Sequence, residues 1–205
     1  MAPLLIGLTG GIAAGKSEAL AAFGRLGAET ISSDAVVHEL LDSEELRERL
    51  VERWGPQVAP GGAIDRRRIG EIVFGQPEEL TWLEAQLHPR VGDRIAAWRR
   101  SLDPDTGFAV VEVPLLFETP LAGAFDVTVA VVADEKVRRR RAEQRGQALV
   151  DERAARQLEQ DEKAARADYV VRNDSSLEDL EQELSGLLAK LADREGRTGP
   201  ESVQS

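Results

Sequence analysis

Residues Gly10-Gly11-Ile12-Ala13-Ala14-Gly15-Lys16-Ser17 read G-x-x-x-x-G-K-[ST], the spacing of a loop that cradles nucleoside-triphosphate phosphates. The flanks fit this reading. Leu4 to Thr9 before the loop is an apolar run of strand length, and Glu18 to Phe23 after it is a good helix opening. The loop therefore lies between a buried strand and a helix N-terminus, where unpaired N–H groups and the positive end of the helix dipole favour an anion. The glycines let the backbone curl around a phosphate. Lys16 is expected to reach the β- and γ-phosphates of ATP, and the Ser17 hydroxyl to ligate Mg²⁺. Ala13, at a non-glycine loop position, asks for no more than an ordinary backbone angle.

The remainder fits an α/β domain of 205 residues. Apolar content of 42% and charged content of 31% suit a globular chain. The sequence has no cysteine, which excludes a disulfide framework and a thiolate nucleophile or metal site. No apolar run approaches the ~20 residues of a membrane span. The N-terminal apolar run leads straight into the phosphate loop, as a core strand does and a signal peptide does not. A cytoplasmic protein with no membrane partner is expected. The net charge of −11 argues against a nucleic-acid partner and makes local arginine clusters informative.

Along the chain, strands are expected at Leu4–Thr9, Glu29–Ser32, Phe108–Val113, Val127–Val132 and Tyr169–Arg172. Asp34 follows the second strand, at the end where parallel sheets bind ligands. It fits either a catalytic carboxylate or the N-cap of the helical pattern Ala35–Leu41. Further helices are expected at 44–53, at 65–74 with Asp65 as cap, and at 77–100, the last kinked or broken after His88 by Pro89. Residues 42–100 thus form a helical insertion too long for an ordinary crossover, expected to cover a substrate. Ser176–Leu191 is amphipathic and closes the core, and 193–205 is polar and expected to be disordered.

Residues 134–166 are rich in charge. Arg138, Arg141 and Arg145 share one helical face, and a second helix carries Arg153, Arg156, Gln160 and Lys163. A hairpin that buries little and turns arginines inward reads as a lid over phosphates. The competing reading is a solvated face stitched by Glu–Arg pairs. The single asparagine, Asn173, leaves no N-K-x-D for guanine, and D-x-x-G occurs only at Asp193–Gly196, so a GTPase does not fit. A motor-type ATPase has Glu112 as a partial candidate and lacks its other parts. A small-molecule kinase remains.

The phosphate loop, Ser33-Asp34-Ala35 with His38-Glu39-Leu40, Asp65-Arg66, Leu87-His88-Pro89, Pro114-Leu115-Leu116-Phe117-Glu118, Ala167-Asp168 and Asn173 together resemble dephospho-CoA kinases, from about Leu4 to Leu191. His-Pro and Pro-Leu-Leu-Phe-Glu at these separations are the specific part. The resemblance implies a nucleotide-kinase fold with a five-stranded parallel sheet flanked by helices, in a single kinase domain over 1–192. Within it 1–41, 101–133 and 167–192 would be the core, 42–100 the CoA-binding insertion and 134–166 the lid. It implies phosphoryl transfer from ATP with Mg²⁺ to the 3′-hydroxyl of dephospho-CoA, by a monomer or weak homo-oligomer. It implies Asp34, Lys16 and Arg141 as catalytic. It gives Gly11 to Ser17, Glu18, Arg145 and Asn173 to the nucleotide, and Asp34, His38, His88, Pro89, Leu115 and Glu118 to the acceptor. Ala13-Ala14, Glu18, Ser32 and Glu112 depart from the family's commoner residues, and Ser32 leaves Asp34 the lone carboxylate of its turn.

Overall fold

The computed structural model describes residues 2–119, 121–144 and 157–196, which form two compact units. The first comprises the chain up to Ser32 and from Leu102 onward. Its strands β1 (Leu4–Gly10), β2 (Glu29–Ser32), β3 (Phe108–Glu112), β4 (Val127–Val132) and β5 (Tyr169–Arg172) form one parallel sheet in the order β2-β3-β1-β4-β5. β1, β3 and β4 are buried along their whole length, which explains their near-continuous apolar sequences: both faces of a parallel sheet are covered. On one face α1 (Lys16–Arg25) brings Phe23, and the last helix, α8 (Leu177–Glu195), brings Leu180, Leu184, Leu188 and Leu191 against Ile6, Leu8, Val110 and Val129. Between them in sequence lie α6 (Glu135–Gln144) and α7 (Gln160–Arg166).

α8 opens with a capping box in which Ser176 and Asp179 exchange hydrogen bonds, and it closes at Gly196 in the left-handed region. It therefore runs past Leu191, and residues 193–195, expected in a polar tail, are helical. Apolar burial at Leu187, Leu188, Leu191 and Ala192 carries the last turns. Residues 197–205 lie outside the described residues.

The second unit is Ser33–Ser101. It holds α2 (Ser33–Leu41), α3 (Glu44–Trp54), two 3-10 turns, α4 (Arg66–Val73) and α5 (Pro77–Ser101). It starts one helix earlier than position 42, because Val37, Leu40 and Leu41 of α2 join Leu46, Leu50, Val58, Ile69, Leu83 and Leu87 in a separate core. Asp65 caps α4, accepting from the Arg67 and Arg68 amides at 3.0 and 3.2 Å. α5 continues unbroken through Pro89. The proline removes one backbone bond, but buried Leu83 and Leu87 and the half-buried Val91, Ile95 and Trp98 hold both halves to one stripe. Trp82 meets Trp54 edge-on with ring centroids 5.2 Å apart, under the Arg53 guanidinium. Trp54 donates to Glu79 at 2.7 Å. Among the described residues no helix is long and apolar enough to cross a membrane.

Candidate active site

β1 lies where the strand order turns, with β3 on one side and β4 on the other, and the phosphate loop leaves its carboxyl end. Gly15 has φ 94 and ψ 32 and precedes α1 as its N-cap. Ala13 has φ 57 and is the one non-glycine residue at positive φ among the described residues. An ordinary angle was expected there. The loop must alternate left- and right-handed residues to turn its N–H groups inward, and that requirement overrides the side chain.

An alanine in this region costs about 1–2 kcal/mol, whereas glycine costs ~0.4–1 kcal/mol through the unfolded chain. The strain is the larger effect. Ala13→Gly is therefore expected to raise stability by up to about 1 kcal/mol, measured by urea or thermal unfolding; a loss of stability would mean that Ala13 is not strained.

The loop is held from its carbonyl side. The Asn173 amide donates to Ala14 O at 2.9 Å, and Asn173 is 3% exposed. Arg141 donates to Ala14 O at 3.4 Å, to Asn173 O at 3.0 Å and to Asn173 Oδ1 at 3.3 Å. In a trans peptide the C=O and the following N–H point in opposite directions. Fixing Ala14 O therefore aims the Gly15 N–H into the loop. A Cβ on Gly15 would lie 2.1 Å from Asn173 Nδ2, so glycine is needed there for space as well as for its φ. The Lys16 ammonium donates to Gly10 O and Gly11 O at 3.2 and 3.0 Å. Ile12 and Ala14 complete the loop, with Ala14 buried, and Ser17 stands exposed in the first turn of α1. Glu18, expected at the nucleotide, pairs along α1 with Arg25 at 3.1 Å.

Beside Gly11 and Ile12 is a cavity of about 360 Å³, also lined by Glu135, Arg138 and Gln157. Gln160 fixes the wall: its amide exchanges hydrogen bonds with Ala133 N and O at 3.2 and 3.0 Å. Glu112 is buried at the carboxyl end of β3, in register with Leu8 of β1 and Ser32 of β2.

Beneath the loop lies a cluster that sequence reading did not find. Lys163 of α7, expected on a lid, is 0% exposed. Its ammonium pairs with Glu118 at 2.9 Å and donates to Pro114 O. Glu118 also accepts from Leu158 N at 2.8 Å and Phe117 N at 3.2 Å. The carboxylate expected at the acceptor thus turns inward, while Leu115 beside it is half-buried. Burial pushes the Glu118 carboxyl up, but Lys163 and the Leu158 amide outweigh it and hold the group below its ordinary value. Burial lowers Lys163, with Glu118 opposing. The two directions agree with the deeper burial of the lysine, 0% against 11% side-chain exposure. α7 is thus anchored through Lys163, while Asp161, Glu162, Ala165 and Arg166 stay exposed. Arg145, Arg153 and Arg156 lie outside the described residues.

In the second unit Asp34 and His38 stand one turn apart on α2, both exposed. α2 begins at Ser33, so Asp34 occupies its first turn and not the N-cap. His88 and Pro89 are exposed on α5.

The family model for dephospho-CoA kinase matches residues 4–179. A Thermus thermophilus dephospho-CoA kinase is 37% identical over 194 residues, 92% of each chain. A solved Thermus thermophilus structure superposes with a TM-score of 0.79 at 36% identity, over 93% of this chain and 99% of the other. The dephospho-CoA kinase from Campylobacter jejuni gives a TM-score of 0.63 at 26% identity, over 93% and 98%.

Proposed function

The chain belongs to the dephospho-CoA kinase family, and on that premise we propose that it transfers the γ-phosphoryl group of ATP to the 3′-hydroxyl of the dephospho-CoA ribose, the last step of coenzyme A synthesis. A cytoplasmic enzyme acting as a monomer or weak homo-oligomer is part of this proposal. The observation that carries it is the phosphate loop, with Ala14 O clamped by Asn173 and Arg141 and the Lys16 ammonium at the Gly10–Gly11 end.

Phosphoryl transfer asks a protein for position and charge and for little covalent chemistry. The acceptor oxygen bonds to the γ-phosphorus, and the bond from that phosphorus to the β–γ bridging oxygen breaks. The electron pair leaves with ADP, and the hydroxyl proton passes to Asp34. Lys16 leaves its loop carbonyls and follows the charge on the γ-phosphoryl oxygens. Arg141 and Asn173 act through the loop, as positioning residues. Ser17, exposed one residue beyond Lys16, fits as a residue that would hold Mg²⁺ through its hydroxyl. The ion would neutralise developing charge on the phosphates. His38, His88, Pro89 and Leu115 are proposed for the acceptor, and Arg145 for the nucleotide.

An acceptor screen with ATP tests this reading. Dephospho-CoA should turn over much faster than AMP, CMP or gluconate. In the same assay Lys16→Ala should cost on the order of 10²-fold or more in rate and leave the fold intact. A preference for AMP or CMP would sink the substrate assignment and leave the kinase standing. Near-normal turnover in Lys16→Ala would remove the kinase as well.

A further inference from the structure

α6 carries a run of four arginines, Arg138 to Arg141, and the structure separates their tasks. Arg141 is engaged with Ala14 O and with both oxygens of Asn173. Arg139 is exposed and pairs with Glu135 at 2.6 Å. Arg140 is exposed. Arg138 is different. Its Nη1 lies 3.7 Å from the point where a Cβ on Gly11 would stand, and it lines the cavity beside Gly11 and Ile12. Its Nε is buried with no hydrogen-bond partner, as is Gln157 Oε1 on the same cavity. A buried guanidinium N–H without an acceptor is costly, and such groups call for a ligand or another explanation. Two acids line this cavity: Glu135 is already paired with Arg139, and Glu159 is exposed to solvent.

The position indicates what the ligand is. The Lys16 ammonium, which reaches β- and γ-phosphates, is docked on Gly10 O and Gly11 O. Arg138 and Lys16 therefore converge on the Gly11 end of the loop, the γ-phosphate end. At the Ala14–Gly15 end Arg141 holds a carbonyl and does not present its guanidinium to the inside of the loop.

We infer that Arg138 is a further catalytic residue, which donates to the phosphoryl group in flight between ATP and the acceptor, a role that rests on the kinase reading above. Planar guanidinium donors match the equatorial phosphoryl oxygens, and an arginine supplied in cis acts where charge develops in the transition state. Arg138 thus bears on turnover, whereas Arg141 bears on the shape of the loop.

The test uses the full chain and the variants Arg138→Ala, Arg138→Lys and Arg139→Ala. Turnover is measured with ATP and dephospho-CoA, binding with ADP alone and with ADP plus aluminium fluoride, and folding by thermal unfolding. Arg138→Ala should lose on the order of 10²-fold or more in kcat. Its ADP affinity and melting temperature should stay near those of the unsubstituted protein, and the extra affinity that aluminium fluoride confers should disappear. Arg138→Lys should recover part of the turnover, and Arg139→Ala should match the unsubstituted protein. The inference is overturned if Arg138→Ala keeps its kcat, or if kcat, ADP affinity and melting temperature fall together, since the arginine then only closes the cavity wall. It is equally overturned if Arg139→Ala loses as much as Arg138→Ala, which would reduce the cluster to bulk charge. An unsubstituted protein that ignores dephospho-CoA and phosphorylates another acceptor would defeat the substrate assignment alone, and the same variants with that acceptor still decide the case of Arg138.

Discussion

Asp34→Asn is expected to lower turnover by about 10²–10⁴-fold, the usual worth of positioned proton transfer, with the fold and ATP binding kept. Asp34 is exposed in the first turn of α2, two residues past the end of β2. A carboxylate at that helix end interacts with the positive dipole, worth about 0.3–1 kcal/mol. Asparagine loses that charge and keeps the shape, so stability should fall by less than about 1 kcal/mol. ATP affinity should hold, because the phosphates belong to the loop and Lys16. Measuring ATP binding, thermal stability and turnover on one preparation separates the roles. Turnover intact per folded molecule, with stability lost, would make Asp34 a helix-end charge. Glu112, buried at the carboxyl end of β3, would then be the next base to test.

The parts of this protein legible in the sequence are those set by local pattern. β1, β3 and β4 are apolar runs, β2 and β5 are short segments with β-branched centres bounded by turns, the phosphate loop is a fixed spacing, Asp65 stands at a helix start, and the α8 stripe repeats at helical period. What was illegible depends on partners distant in sequence. Ala13 takes φ 57 because the whole loop must turn its amides inward, which a single alanine does not announce. Arg141 shares a helical face with Arg138, yet the two meet different ends of the loop, since Asn173 intercepts one of them. α2 joins the helical unit through apolar contacts that no boundary signal marks. Pro89 sits inside a helix whose packing exceeds the loss of one hydrogen bond. Lys163, within Gln160–Arg166, reads as one more surface charge. The available signal was its spacing with Gln160 and Ala167 on one face, which acquires meaning only once Glu118 is known to turn inward.

That pair yields the second large effect. Lys163→Met should cost about 3–5 kcal/mol of stability, as removing one partner of a buried ion pair does. Methionine fills much of the volume, so packing is largely kept. The Glu118 carboxylate, with 11% side-chain exposure, stays near the Leu158 and Phe117 amides but loses its counter-charge. Glu118→Gln in the same chain removes the uncompensated charge, so the double variant should be more stable than Lys163→Met alone, a coupling that a double-mutant cycle reads directly. The pH dependence has a definite sign. The folded Glu118 pKa is lowered, with burial opposed and outweighed by Lys163 and the Leu158 amide. Its contribution is therefore complete above the unfolded carboxyl value, about 4.3, and is lost as pH falls through the folded value below that. The stability gap between the unsubstituted protein and Lys163→Met should be wide at neutral pH and narrow in acid. Urea unfolding of both proteins at neutral pH and below pH ~4 measures the gap. A gap that stays constant across that range would mean that Lys163 stabilises by filling space, and that its charge does nothing for Glu118.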